Sequence, residues 1–348
     1  MKNVWMRGSF AAFALALCAA TGCSNNATPK VRAQPLLARL HTLTTIGSTV
    51  DPVSGDQNPY GLAIATVTSG LVTAGDLIVC DFNDGPTNTQ GQGESIVGLH
   101  PAAGSAPYRI LHDPSLLGCD ALSTYSNGSI WTANFNANNI VVVSTSGAIG
   151  QTLSASSTYA LSNPWGAFFG TSPGGVTSFF ESNAGDGTVL RLVVAGGTVT
   201  SSTTIATGLS RNNGVPGSIL APSGLTYNPT NDTLYVIDGN DNSVSAIANA
   251  STIAGPATPK VLASGAPLNG PLSAALLPDG NLIVGNTLDP NGTNLLIEVS
   301  SAGGILATKN VDTGAAGALF GIVVAGTTAA PLIYFNDDNT NTVDLLST

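Results

Sequence analysis

The chain is poor in charge, and most of the charge it has is negative. Only 9% of its 348 residues are Asp, Glu, Lys or Arg, with 10 basic against 20 acidic side chains and a formal net charge of −10. So few cations exclude nucleic-acid recognition, which needs Lys and Arg clustered against phosphate. They equally exclude electrostatic docking on anionic lipid. There are three histidines, His41, His100 and His112, too few and too close to one end for a His-based acid–base site shared across the chain. No nucleophile elbow of the Gly-x-Ser-x-Gly type is read, so a triad hydrolase is not expected. Gly91-Gln92-Gly93 and Gly303-Gly304 read as hairpin turns, and neither opens a helix as a phosphate-binding loop must. The apolar stretch Phe10–Ala20 is too short to span a bilayer.

That stretch has a different use. Lys2 and Arg7 precede it, and Ala20-Thr21-Gly22-Cys23 follows, the pattern of a secretory leader ending in small residues. The four residues resemble the bacterial lipobox, with Ala20 where Leu is usual. The resemblance implies cleavage after residue 22 and lipidation of Cys23, with ordinary secretion as the alternative. Residues 1–22 then form a lipoprotein signal peptide and residues 23–37, polar and Pro-containing, a lipidated tether. Removal of Lys2 and Arg7 takes the formal charge from −10 to −12. The expected location is the cell envelope, on the outer membrane or the periplasmic or extracellular face, with the acyl anchor as the membrane contact.

What the rest of the chain has is repetition. Six short apolar runs end in a polar residue: Asp81, Asn134, Glu181, Asp238, Asn286 and Asn336. They recur about every 50 residues, and the runs are strand-like throughout, which is the mark of blade-type repeats rather than a helical solenoid. Each run follows a second signature, a small residue in an apolar setting: Pro59-Tyr60-Gly61, Cys119-Asp120-Ala121, Pro164-Trp165-Gly166, Pro222-Ser223-Gly224, Leu272-Ser273-Ala274 and Leu319-Phe320-Gly321. Small residues let inner strands crowd around an axis, and Pro suits a strand's first position. Asn-rich turns such as Asn240-Asp241-Asn242 follow the polar residues and read as hairpin loops.

The last unit has only three strands before Thr348, and Arg39–Thr44 is the one β-like run without a partner. The expectation is an all-β fold over residues 38–348, a six-bladed β-propeller closed by an N-terminal outer strand. Strand order puts Cys80 and Cys119 at the same end of neighbouring blades, consistent either with a disulfide or with two buried thiols.

The unit Pro222-Ser223-Gly224-Leu225 followed by Leu234-Tyr235-Val236-Ile237-Asp238-Gly239-Asn240 resembles one repeat of the NHL-type propellers, and the other units match it more loosely. That resemblance gives the polar ring a structural reading, in which each member caps the turn after it, against the alternative of a Ca²⁺-lining ring. In the related gluconolactonase-type propellers a metal is held just before the small residue of the inner strand. Here those positions are Tyr60, Asp120, Trp165, Ser223, Ser273 and Phe320, with a single carboxylate. The streptogramin lyase-like propellers use His and acid at the axis, and no histidine is expected there. The six residues are the candidate ligand-binding set at the channel mouth, with the aromatics as either a ligand floor or a packed plug.

No metal or other cofactor is expected, with Ca²⁺ or another divalent ion left open. The leading expectation is a lipid-anchored, non-catalytic scaffold that binds a protein, glycan or small ligand, and Asn83–Glu94 is the first loop to consider. The alternative is a metal-dependent hydrolase or lyase at the channel mouth using Asp120.

Overall fold

The computed structural model describes residues 34–212, 214, 221–288, 294–315 and 317–348. The leader, the lipobox and Cys23 lie outside the described residues. Among the described residues no helix is long and apolar enough to cross a membrane.

Among the described residues, twenty-four strands form six four-stranded antiparallel sheets. Five sheets are consecutive in sequence, and in the sixth the strand Thr42–Ser48 joins the outer edge of the last three strands. The architecture is the expected six-bladed β-propeller. The closing strand pairs antiparallel with Thr342–Ser347, Thr42 opposite Ser347 and Ser48 opposite Thr342. It begins three residues later than the run read from sequence. The residues before it are also part of the fold: Leu36–Arg39 is a single helical turn, and Leu36, Leu37 and Leu40 are buried against the last two blades. Two residues assigned to the tether therefore belong to the propeller. The Leu37 N–H donates to the buried Glu298 carboxylate at 2.8 Å, which fixes the entry of the chain.

Each blade alternates in the way its sequence dictates. Inner and second strands are buried on both faces because another blade covers each side, so they read as near-continuous apolar runs such as Leu77-Ile78-Val79-Cys80. Outer strands such as Ile149–Ser154 are mostly exposed and polar. Six apolar clusters fill the seams between adjacent blades. At about 1.5–3 kcal/mol for each buried large side chain, these seams hold the ring together.

Inner strands run close around the axis. A Cβ on Gly224 would sit 2.6 Å from the Leu272 carbonyl of the next blade, and one on Gly321 would sit 2.7 Å from the Tyr60 carbonyl of the first. Cys80 and Cys119 form a disulfide between blades 1 and 2, Cα atoms 5.8 Å apart, which resolves the two readings left open by the sequence.

Candidate functional site

The register of the inner strands decides which residues meet at the axis. Every inner strand carries a register shift near its start, between Pro59 and Gly61, Cys119 and Ala121, Pro164 and Ala167, Pro222 and Leu225, Pro271 and Ser273, and Leu319 and Ile322. Such irregularities bend a strand and re-aim one side chain. The re-aimed residues are Tyr60, Asp120, Trp165, Ser223, Leu272 and Phe320. In blade 5, Pro271 pairs with Asn286 as Pro222 pairs with Asp238. Leu272 therefore takes the mouth position, and Ser273 is the small residue packed against Gly224. Leu272 is thus added to the mouth set beside Ser273, which also lines the axial cavity; blade 5 has Ser where the other blades have Gly or Ala.

The same register moves two members of the polar ring. Pro164 pairs with Asn183 and Leu319 with Asp337, so the equivalent residues are Asp81, Asn134, Asn183, Asp238, Asn286 and Asp337. Several are turn anchors. Asp238 accepts from the N–H groups of Asn240 and Asp241 at 3.1 and 3.2 Å, and Asn183 accepts from Ser162 N–H at 2.9 Å. Asn336, displaced from the ring, instead donates to the carbonyls of Tyr60 and Gly61 at 3.1 Å each, tying blade 6 to blade 1. Asp81 departs from the pattern: it is fully buried and neither carboxyl oxygen has a hydrogen-bond partner in the protein.

One end of the axis is closed by aromatic rings. Tyr60 stacks on Phe320 (centroids 3.9 Å) and on Phe82 (4.2 Å), and Trp165 lies 5.7 Å from Tyr60 and edge-on to Phe135 at 6.0 Å. Phe82 and Phe135 are the residues just after Asp81 and Asn134, and the place equivalent to theirs in blade 6 is Asp338. Sequence reasoning missed these residues and Leu272. The signal was present, since a bulky apolar residue follows the polar one in blades 1 and 2.

Beneath this plug is an axial cavity of about 440 Å³. Tyr60, Asp120, Trp165, Leu272 and Phe320 form its closed end, and Leu62, Leu122, Leu225 and Ile322 belong to its apolar wall. Half-buried Ile64, Thr124, Leu276 and Val324 line its other end, where the inner hairpin turns lie. Ser223 is fully buried and does not line it. No Arg, Lys or His lines the cavity.

Asp120 is the polar exception at the closed end. It is 3% exposed, and neither of its carboxyl oxygens has a hydrogen-bond partner in the protein. Burial pushes its pKa well above the usual carboxylate range. Glu181, on the second strand of blade 3, is also fully buried, and the donor facing its carboxyl is the Trp165 backbone N–H. Its pKa is raised by burial and then by Asp120, partly offset by the Trp165 backbone N–H. The Tyr60 hydroxyl is pushed up by burial and by Asp120 and Asp338. Asp338 itself is raised to about 7 by burial and by Asp337.

The histidines lie away from the axis. His112 sits over the Asn83–Glu94 loop, its Nδ1 3.5 Å from Asp56 and its Nε2 3.5 Å from Glu94. Asp56 pins that loop by accepting from Gly85 and Glu94 N–H at 3.1 and 3.0 Å. One Gly-x-Ser-x-Gly string does occur, at Gly170-Thr171-Ser172-Pro173-Gly174. It forms the hairpin turn between two strands of blade 3, where Ser172 Oγ accepts from Val176 N–H at 3.1 Å, so it is no strand-to-helix elbow.

No family model and no curated protein sequence matches this chain. Among solved structures it is similar to a gluconolactonase from Xanthomonas campestris (TM-score 0.61, 14% identity, covering 89% of this chain and 90% of that one). It is likewise similar to the PQQ-bound aldose sugar dehydrogenase of Streptomyces coelicolor (0.55, 13%, 88% and 98%). A third is the calcium-binding protein regucalcin of Agrobacterium tumefaciens (0.55, 14%, 87% and 94%).

The expectation of no cofactor is corrected by these neighbours, because propellers of this architecture include a PQQ-bound and a calcium-binding protein. The residues here fit neither group. Among the described residues no three His, Cys, Asp or Glu side chains converge as metal ligands, and the axial wall offers no cation for the carboxylates of a quinone such as PQQ. What the likeness shows is the fold: a six-bladed β-propeller with the architecture of gluconolactonase, sugar dehydrogenase and regucalcin structures.

Proposed function

We propose that this protein is a binding propeller of the cell envelope, anchored through a lipid on Cys23, that holds a small molecule in its axial cavity. The observation that carries the reading is a cavity of about 440 Å³, apolar along its wall and closed by an aromatic plug, with one unpartnered carboxyl at its closed end. Small-molecule sites have this composition: an apolar enclosure and few polar groups that fix orientation. The NHL-like repeat pattern accounts for the scaffold, and the lipobox-like segment for the address. Trp165 lies in the plug, so a ligand in the cavity changes its fluorescence. Screening a small-molecule library by that signal, with Ile64→Trp at the open end as a blocked control, tests the site. Ligands whose binding ignores Ile64→Trp, or the absence of any ligand, would remove the support. Palmitate labelling abolished by Cys23→Ala tests the anchor.

A second reading has one observation in its favour. Two electrostatically coupled, buried carboxyls with raised pKa values, Asp120 and Glu181, are the material of general acid catalysis, and propellers of this fold include a gluconolactonase. On this reading Asp120 delivers a proton in a hydrolase or lyase reaction. Turnover of a lactone panel by the wild type, lost in Asp120→Asn, would place it ahead of the first.

A further inference from the structure

We propose that the axial cavity is a site for a small organic ammonium ion with an apolar body, its ammonium seated against Asp120. The proposal rests on the axial-site reading above and specifies its ligand. Asp120 is buried at the closed end of the cavity with both carboxyl oxygens unpartnered. A buried carboxylate without donors or a counter-charge is costly, and the group is relieved when a cation or several N–H donors reach it. The protein supplies neither, since no Lys, Arg or His lines the cavity. Glu181, fully buried behind the cavity wall, adds a second carboxyl whose interaction with Asp120 makes the local field more negative when either ionises.

The neighbours on either side of Asp120 in the ring of mouth residues are Trp165 and Tyr60, both faces of Tyr60 being taken by Phe82 and Phe320, so the ring left for a cation is Trp165. Aromatic faces attract cations, Trp most strongly, and do so best where water is excluded. Below them, Leu62, Leu122, Leu225 and Ile322 offer an apolar wall for the rest of the ligand. An anion would meet the Asp120 carboxyl and no cation. A divalent metal would find no third acid, His or Cys among the described residues. A monocation carrying an apolar group satisfies the carboxyl, the ring and the wall together.

The test uses the purified full chain and isothermal titration at pH 7.5 with 2-phenylethylamine, its neutral isostere 2-phenylethanol, and CaCl₂. The expected result is one amine bound per chain, with the alcohol at least tenfold weaker. Asp120→Asn and Ile64→Trp each weaken the amine at least tenfold, and CaCl₂ does not compete. If the alcohol binds as well as the amine, or Asp120→Asn leaves amine affinity unchanged while Ile64→Trp abolishes it, the ammonium assignment falls and the axial site stands. Amine binding indifferent to both substitutions removes the axial site as well. Competition by Ca²⁺ dependent on Asp120 makes the site a metal site and overturns the proposal, as does absence of amine binding to the wild type. Should Asp120→Asn fail to fold, the amine–alcohol comparison on the wild-type chain decides.

Discussion

Tyr60 of the first blade stacks on Phe320 of the last, with ring centroids 3.9 Å apart and planes 13° from parallel. The contact joins residues 260 positions apart in sequence, at the point where the ring of blades closes, and it seals one end of the axis. Tyr60 also stacks on Phe82 within its own blade, so one side chain links the seam between first and last blades to the plug.

Tyr60→Ala is therefore expected to destabilise the fold by about 3–5 kcal/mol, as for other large aromatic truncations in cores. Tyr60→Phe, which keeps the stack, loses much less. Urea denaturation followed by circular dichroism measures both. Equal losses for the two variants would mean that the hydroxyl, through Asn58, matters more than the stack.

Stability is expected to fall as pH rises from 5 to 8, the reverse of most acidic proteins. Asp337 and Asp338 are raised to about 6 and about 7 from an ordinary value of 3.8. Asp81, Asp120 and Glu181 are raised as well, chiefly by burial. A carboxyl whose pKa is higher in the folded state holds its proton more tightly there. Its contribution is complete below the unfolded value and is lost as pH climbs through the folded one. Asp51, held near 2 against the guanidinium of Arg109, acts oppositely and fails only in strong acid. Thermal midpoints from pH 3 to 9 should peak near pH 4–5, with a shallower alkaline fall in Asp338→Asn. A midpoint that rises from pH 5 to 8 contradicts the assignment.

The Cys80–Cys119 disulfide closes a segment of 39 residues across two blades. Peptide mapping without reductant should recover the linked pair. Replacing both with Ala is expected to cost about 2–4 kcal/mol, read as a lower urea midpoint that reductant no longer shifts.

Gly166 approaches the Ser223 carbonyl of the next blade more closely than any Cβ could tolerate. Gly166→Ala should destabilise by about 1–3 kcal/mol through overpacking. Ala121→Gly, at the equivalent position of blade 2, relieves no such contact and is expected to be far milder. Thermal melts of the two variants side by side provide the check.

The repeat and the closing strand were legible because each blade restates the same needs: an apolar pair of inner strands, a small residue at the axis and an Asn-rich turn. The site was legible only in part. Tyr60, Trp165, Phe320 and Asp120 follow from the small residue after them, but the register shifts beside them have no sequence mark of their own. Where the small residue is Ser273 rather than Gly, the alignment slid by one and hid Leu272. In blade 3 the apolar run stops at Glu181, two residues short of the turn anchor Asn183, so a fully buried acid stands where the pattern expects a turn cap. Burial of a charge is what a one-dimensional pattern shows least, since the cover comes from a neighbouring blade.

The pairing of Thr42–Ser48 with Thr342–Ser347 places the two ends of the propeller side by side, Thr42 opposite Ser347. In polymer terms the domain is a nicked circle, with every sheet complete and one backbone break on its rim. Joining Thr348 to Gln34 through a short linker and opening the chain at the exposed turn of Ser126 and Asn127 would move the nick without removing a strand pair or the buried Leu36, Leu37 and Leu40. Which blade comes first is an accident of where the backbone is cut, while the axial cavity is a property of the closed ring.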